Sequence, residues 1–233
     1  MRDATFARPS AAIEALDPQA AYARWAPSYP PRPHNKLMAV EQAAVMALLP
    51  DLTGRVALDV GCGSGRYLRV LVDRGATATG LDLSAPMLAH AHATAHRLVR
   101  ASACALPIAR RSMDVVVCGL ALGDVKDLAL AIGEMARVLR PGGQLIYSVV
   151  HPRGAAEGWS RTFDVNGRQC AVAGFWHSED DHRGACALAG LTIDAWHEPH
   201  LGDPGRPVAL VVRARRPLVE ATLVGRGVVE ATL

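Results

Sequence analysis

Between Val56 and Val150 short apolar runs alternate with segments of helix length, and that alternation leaves few folds open. Val56-Ala57-Leu58-Asp59-Val60 reads as a strand that runs into a glycine-rich turn, and Tyr67 to Arg74 as a helix closed by Gly75. Thr77 to Leu81 reads as a second strand and Pro86 to Val99 as a second helix. Asp114 to Cys118 is apolar too continuously for a strand with one wet face. A helix from Leu128 to Leu139 ends at Pro141-Gly142-Gly143, and Gln144 to Val150 is a further strand. Strands separated by helices of such length form βαβ units, hence a parallel sheet with right-handed crossovers. The fold class is α/β, doubly wound.

The flanks read differently. Pro27, Pro30, Pro31 and Pro33 forbid a continuous helix over 1–36, whereas Lys36 to Leu49 keeps a helical period. Residues 151–176 show no clear period and read as an inserted cap. Ser178 with Asp181 resembles a capping box and Gly190 suits a helix C-cap, so 179–189 is expected to be a helix. Leu191 to Trp196 and Val208 to Arg213 are the last two expected strands. In the tail, Val219 to Leu223 recurs as Val229 to Leu233 around Gly225-Arg226-Gly227, which suggests a β-hairpin serving as an extra sheet edge or a homodimer contact, with a frayed terminus as the alternative. The expected organisation is one domain over 1–216, with an N-terminal lid and helix at 1–50 and a cap at 151–177, followed by a hairpin-like tail at 217–233.

Composition narrows the functional classes. At 233 residues, half of them hydrophobic, the chain is long enough for one sizeable core. The net charge is only +3, and the one local basic cluster, Arg213, Arg215 and Arg216, sits beside a strand-like run, which argues against a nucleic-acid groove. No apolar run reaches the roughly 18 residues a membrane span needs, and the start of the chain lacks a signal-peptide core. Five widely spaced cysteines without a C-x-x-C pair give neither a zinc site nor a disulfide framework. The expectation is a cytoplasmic protein with no membrane or nucleic-acid partner and no metal.

The turn itself, Gly61-Cys62-Gly63-Ser64-Gly65, follows a buried strand and feeds a helix N-terminus. Without a Cβ its backbone can approach a ligand closely, and free N–H groups at the helix start bind anions. The spacing is G-x-G-x-G and Arg66 stands next, which departs from the G-x-G-x-x-G of dinucleotide folds. Asp82, at the end of the second strand, can accept hydrogen bonds from two vicinal ribose hydroxyls, which points to a nucleoside ligand.

On these residues the chain resembles the class I S-adenosylmethionine-dependent methyltransferases, especially the ubiquinone and menaquinone biosynthesis branch. The resemblance runs through Leu58–Gly65, Leu81-Asp82-Leu83-Ser84 with Met87-Leu88, Ala103, Leu106-Pro107, Ser112-Met113-Asp114, Glu134, Arg137-Val138-Leu139 and Pro141-Gly142-Gly143. Tyr22 to Tyr29 resembles the family's Tyr-x-x-x-Ala-x-x-Tyr segment. It implies a Rossmann-like seven-stranded, mostly parallel sheet with an antiparallel last strand, and S-adenosylmethionine as cofactor. It also implies that Asp59 and the Gly61, Cys62, Gly63 and Gly65 backbone hold the methionine part, and that Asp82 binds the ribose. Leu83 and Met87 would pack on adenine, Ala103 would contact its edge, Cys118 or Gly119 would lie near the sulfur, and Tyr22 and Tyr29 would close over the site. Where the family commonly has Asp before the residue matching Ala103, this chain has Ser102, whose hydroxyl can accept the same bond without charge assistance.

Methyl transfer from a sulfonium needs alignment and exclusion of water, and a general base where the acceptor is a hydroxyl. His151, after the strand ending at Val150, is the candidate base, with His34 and His177 behind it. His90, His92 and His96 read as surface residues. Trp159, Phe163, Phe175 and Trp176 could form an apolar pocket for a small, partly apolar acceptor, methylated at a hydroxyl or an activated carbon. A nicotinamide-dependent oxidoreductase and a non-catalytic cofactor-binding module stand as alternatives.

Overall fold

The computed structural model describes residues 13–91, 97–202 and 205–218. The expected tail repeat and His92 and His96 lie outside the described residues, as does the hairpin proposed for the tail.

The strand-forming runs of the sequence assemble into one sheet. β2 (Val56–Val60), β3 (Thr77–Asp82), β4 (Leu98–Arg100), β5 (Met113–Gly119), β6 (Leu139–Val150), β9 (Thr192–His197) and β10 (Ala209–Arg215) lie in the order β4-β3-β2-β5-β6-β10-β9. The pairs from β4 to β6 are parallel, and β10 runs antiparallel to both its neighbours. The strand order therefore reverses between β2 and β5. In an open α/β sheet a crevice opens beyond the carboxyl ends of the strands at that reversal.

Helices cover both faces. Val45 and Leu48 of α2 (Lys36–Leu48) and Leu68 and Leu71 of α3 (Arg66–Asp73) pack with Ala57, Val115, Val117 and Ile146 on one side. Ile132, Met135 and Val138 of α5 (Leu128–Val138) and Cys186 of α7 (Glu179–Leu188) pack with Leu58, Val116, Leu145 and Tyr147 on the other. Both faces of the central strands are thus dry, which is why Val115-Val116-Val117 does not alternate with polar residues. The Ser178 capping box is present, and Gly190 follows α7 with φ of +69°.

Three expectations need correction. The strand expected from Gln144 begins at Leu139, directly after α5, and Pro141-Gly142-Gly143 lies within it, where the pairing with β5 shifts register. Of the helix placed over Pro86 to Val99, the described residues show α4 at Ala85–Ala91, and Leu98–Arg100 is an edge strand paired with Gly80, Leu81 and Asp82. A short apolar run next to a helix carries no period of its own, so Leu98 and Val99 were absorbed into the helical pattern. Residues 151–176 are also more ordered than their sequence suggests. They hold a short α6 (Gly154–Glu157) and a hairpin of β7 (Arg161–Val165) and β8 (Arg168–Val172), turned at Asn166-Gly167 with both residues at positive φ.

That hairpin does not stand alone. β1 (Glu14–Leu16) adds to it in parallel, Leu16 opposite Val172, and makes a separate three-stranded sheet. Leu16, Ala21 of α1 (Pro18–Trp25), Phe163, Cys170 and Val172 form a small core beneath it. The N-terminal lid and the cap are therefore one roof over the crevice.

Candidate active site

The turn after β2 is shaped by the strand beside it. Gly61 N and Cys62 N both donate to Leu81 O, at 2.7 and 3.0 Å, which folds the chain back over the end of β3. Gly61 has φ of +68°, and a Cβ there would lie 2.4 Å from the Cβ of Ala121, so neither the backbone nor the space admits a side chain. Gly65, left-handed, begins α3. Asp82 accepts from Gly63 N and from Ser84 N, both at 2.8 Å, one bond on each carboxylate oxygen. Each oxygen keeps a further lone pair. Burial raises its pKa, opposed by those two amides.

These groups border a cavity of about 760 Å³. Its floor includes Gly61, Gly63, Asp82, Leu83 and Met87; one side holds Ser102, Ala103, Cys118 and Gly119; and the roof supplies Tyr22, Trp25, Tyr29 and Phe163. Eleven of the fourteen residues expected at the cofactor thus converge on one space. The remaining three, Asp59, Cys62 and Gly65, do not border it. Cys62 is buried, with its sulfur 2.9 Å from where a Gly80 Cβ would stand. Asp59, 1% exposed, has no hydrogen-bond partner on either oxygen, and burial pushes its pKa up to about 7 against the pull of Arg66. It lies one strand residue behind the turn. Ser102 Oγ accepts from Cys104 N at 3.1 Å, which shapes its own loop.

The roof is tied down by side chains the sequence did not single out. Arg161 of β7 donates to Asp124, just beyond β5, through two nitrogens, and to the hydroxyl of Tyr22 at 3.1 Å. Burial pushes the Tyr22 phenol well above its ordinary range, with Asp124 adding to the effect. Trp25 stacks on Phe163 with centroids 4.7 Å apart, and Tyr29 meets Trp25 edge-on at 4.8 Å. His34 borders the cavity against both rings, its pKa lowered chiefly by burial. An Asp a few residues past a strand end gave a weak sequence signal for Asp124; nothing in the local pattern marks Arg161.

Behind the cavity, Glu41 of α2 is fully buried and accepts from Arg66 at 2.7 Å, Tyr67 at 2.7 Å and Ser148 at 2.5 Å. Gly119 abuts that cluster: a Cβ on it would lie 2.1 Å from the Tyr67 ring. Glu134 and Arg137, both in the quoted motif set, hold the loop at 106–108 through Leu106 N, Leu106 O and Ile108 O.

The structure does not bring His151 to either cavity wall. Its Nδ1 accepts from Arg153 N at 3.2 Å, so the neutral ring carries its proton on Nε2, 2.9 Å from Glu198. Glu179 is near as well, and one ligand atom from each of the three lies within 4.8 Å of the others. A cation on Nε2 would move the ring proton to Nδ1, against the Arg153 N–H. Arg213 and Arg215, of the basic cluster, both pair with Asp194. All five cysteines are free thiols.

The expected aromatic cap divides in two. Phe163 faces the large cavity, while Trp159, Phe175 and Trp176 border a second of about 340 Å³, together with His177 and His182.

Residues 58–147 match the family model described as a methyltransferase domain. That stretch runs from β2 into β6 and takes in the glycine turn and Asp82, and the sheet order is that of the Rossmann-like methyltransferase fold. Among similar proteins, a malonyl-[acyl-carrier protein] O-methyltransferase of Enterobacter lignolyticus is 40% identical over 56% of this chain and 52% of its own length. A ubiquinone biosynthesis O-methyltransferase of Alkalilimnicola ehrlichii is 34% identical over 54% of each. The chain thus spans about half the length of these curated relatives. A crystal structure of an S-adenosylmethionine-dependent methyltransferase from Mesorhizobium loti, 27% identical, superposes with a TM-score of 0.66 over 76% of this chain and 98% of that one. Among the described residues, no helix is long and apolar enough to cross a membrane.

Proposed function

We propose that the chain transfers a methyl group from S-adenosylmethionine to an oxygen, or an activated carbon, of a small and partly apolar acceptor. The observation that carries this reading is the convergence, in one roofed cavity at the strand-order reversal, of the glycine turn and the Asp82 carboxylate. The residues fit the cofactor: Gly61, bare of a side chain, packs against Ala121 and keeps the turn at the cavity edge, and Asp82 keeps lone pairs for two vicinal hydroxyls. Leu83, Met87 and Ala103 supply an apolar slot for a base.

When bound, the cofactor supplies a methyl on a sulfonium, already activated for displacement. The chain's part is placement. Tyr22, Trp25, Tyr29 and Phe163 exclude water, and the Arg161–Asp124 pair holds the roof shut over the reacting groups. Fixing reactants in line supplies on the order of 7–11 kcal/mol of the barrier reduction. A base for a hydroxyl acceptor belongs on the cavity wall, where His34 stands and His151 does not. We read residues 1–216 as one functional unit. The names of the two relatives favour oxygen as the atom methylated, and an acceptor carried on an acyl carrier protein is one form it could take.

Calorimetric titration with S-adenosylhomocysteine and with NADH tests the reading. Micromolar binding of the first alone supports it, as does transfer of labelled methyl to a malonyl thioester or a catechol. Binding of NADH alone would overturn it in favour of the oxidoreductase.

A further inference from the structure

The smaller cavity shares Leu120, Val150 and Arg161 with the cofactor cavity, so the two spaces are neighbours across a common wall. Leu120 occupies that wall at φ of +59°, an uncommon conformation for a branched residue. It is held there by Leu120 N donating to both the carbonyl and the hydroxyl of Ser148 at 3.0 Å. The walls beyond it are aromatic. Gly154 of α6 lies under both indoles: a Cβ there would fall 2.6 Å from Trp176 and 2.7 Å from Trp159, so the missing side chain is what lets them sit together. Phe175 and Trp176 are part exposed, which puts an apolar rim at the surface.

One polar group in this lining has no partner. His182 is 1% exposed, and its Nδ1 makes no hydrogen bond. Its ring is fixed by Tyr147, stacked at 5.5 Å, and by His177, edge-on at 6.1 Å. His177 is itself engaged at 2.8 Å with Val125 O, and Asp181, on the same helix as His182, with Ser178. Burial lowers the pKa of His182 to about 4, so the imidazole is neutral at ordinary pH. An unpaired polar atom inside a protein is costly unless a ligand or water satisfies it. The lining's one guanidinium, Arg161, is already neutralised by Asp124. A carboxylate would meet no spare cation there, whereas a neutral hydroxyl would meet a neutral nitrogen.

We propose that the smaller cavity is the acceptor chamber, shaped for a planar apolar molecule with a hydroxyl that bonds to the His182 imidazole. The inference rests on the methyltransferase reading, because it is the shared wall that would bring such a molecule to the methyl group.

The test uses the full chain, first saturated with S-adenosylhomocysteine so that the larger cavity is filled, and then titrated with 1-naphthol, naphthalene or 1-naphthoate. 1-Naphthol should bind about fivefold tighter than naphthalene, the contribution of one hydrogen bond, and tighter than the anion. His182→Phe should remove the preference for naphthol, His182→Gln should restore part of it, and Trp176→Ala should weaken naphthol and naphthalene alike. In each variant the affinity for S-adenosylhomocysteine should stay unchanged, which shows the fold intact. Parity of the probes, tightest binding by naphthoate, no probe binding, or a preference that survives in His182→Phe overturns the proposal. If S-adenosylhomocysteine itself does not bind, it is the methyltransferase reading that fails, and that titration comes first.

Discussion

Arg161 of the roof hairpin and Asp124 beyond β5 form a two-point ion pair, and through it the roof is joined to the sheet by charge as well as by apolar contact. Both side chains are mostly buried, at 24% and 13% exposure. Removing one partner strands the other. Asp124→Ala should therefore cost about 2 kcal/mol, below the 3–5 of a fully buried pair because some solvent reaches this one. A urea midpoint that drops with an unchanged slope checks it, and S-adenosylhomocysteine affinity should fall with it.

Asp82→Ala should weaken S-adenosylhomocysteine binding by roughly 10- to 100-fold, the loss expected when charge-assisted hydrogen bonds disappear. The same change frees Gly63 N and Ser84 N, so the turn loosens as well. Calorimetry on variant and parent gives the ratio, and equal affinities would remove Asp82 from the site.

Gly61→Ala combines a strained φ with a collision against Ala121. It should destabilise the fold by about 1–3 kcal/mol and reduce cofactor affinity, because relief of the clash moves the turn away from β5. Gly158→Ala also has positive φ but meets nothing within 4 Å, and serves as the control for backbone strain alone.

Asp59 gives the protein a pH dependence. The unfolded chain releases this proton near pH ~4. The folded chain keeps it until about 7, so between those values the folded state binds more protons and stability falls as pH rises. Between pH 5 and 7.5 the parent should lose on the order of 2 kcal/mol more than Asp59→Asn does. Urea unfolding of both proteins at the two pH values measures the difference.

His151→Ala should leave methyl transfer within about twofold of the parent and cost about 1–2 kcal/mol in stability, since its partners are Glu198 and Arg153. A drop of 10²-fold or more in turnover would return it to the role of base.

The sheet was legible because its code is local. Buried parallel strands must be apolar throughout, and the turn between β2 and α3 requires glycine. The same holds for Gly61, Gly63 and Asp82, whose places follow from strand ends. The roof was not legible for the opposite reason. β7 and β8 are short, and their partner is β1, far away in the sequence, so no window around 161–172 contains what stabilises them. Leu98–Arg100 failed likewise, because its pairing with β3 is invisible to a helical period. His151 was placed correctly at a strand end, yet which way its ring turns depends on Glu198. His182 reads in the sequence as one more polar residue on a capped helix; only packing against Tyr147 shows it to be buried.

The pairing of Leu16 with Val172 also sets an order of events during synthesis. The strand at Leu16 cannot find its partner until Val172 has left the ribosome, and contacts so distant close late. The strands from Val56 to Val150 can pair by then. The binding crevice would thus exist first as an open groove, and it becomes an enclosed chamber only when the two distant segments meet.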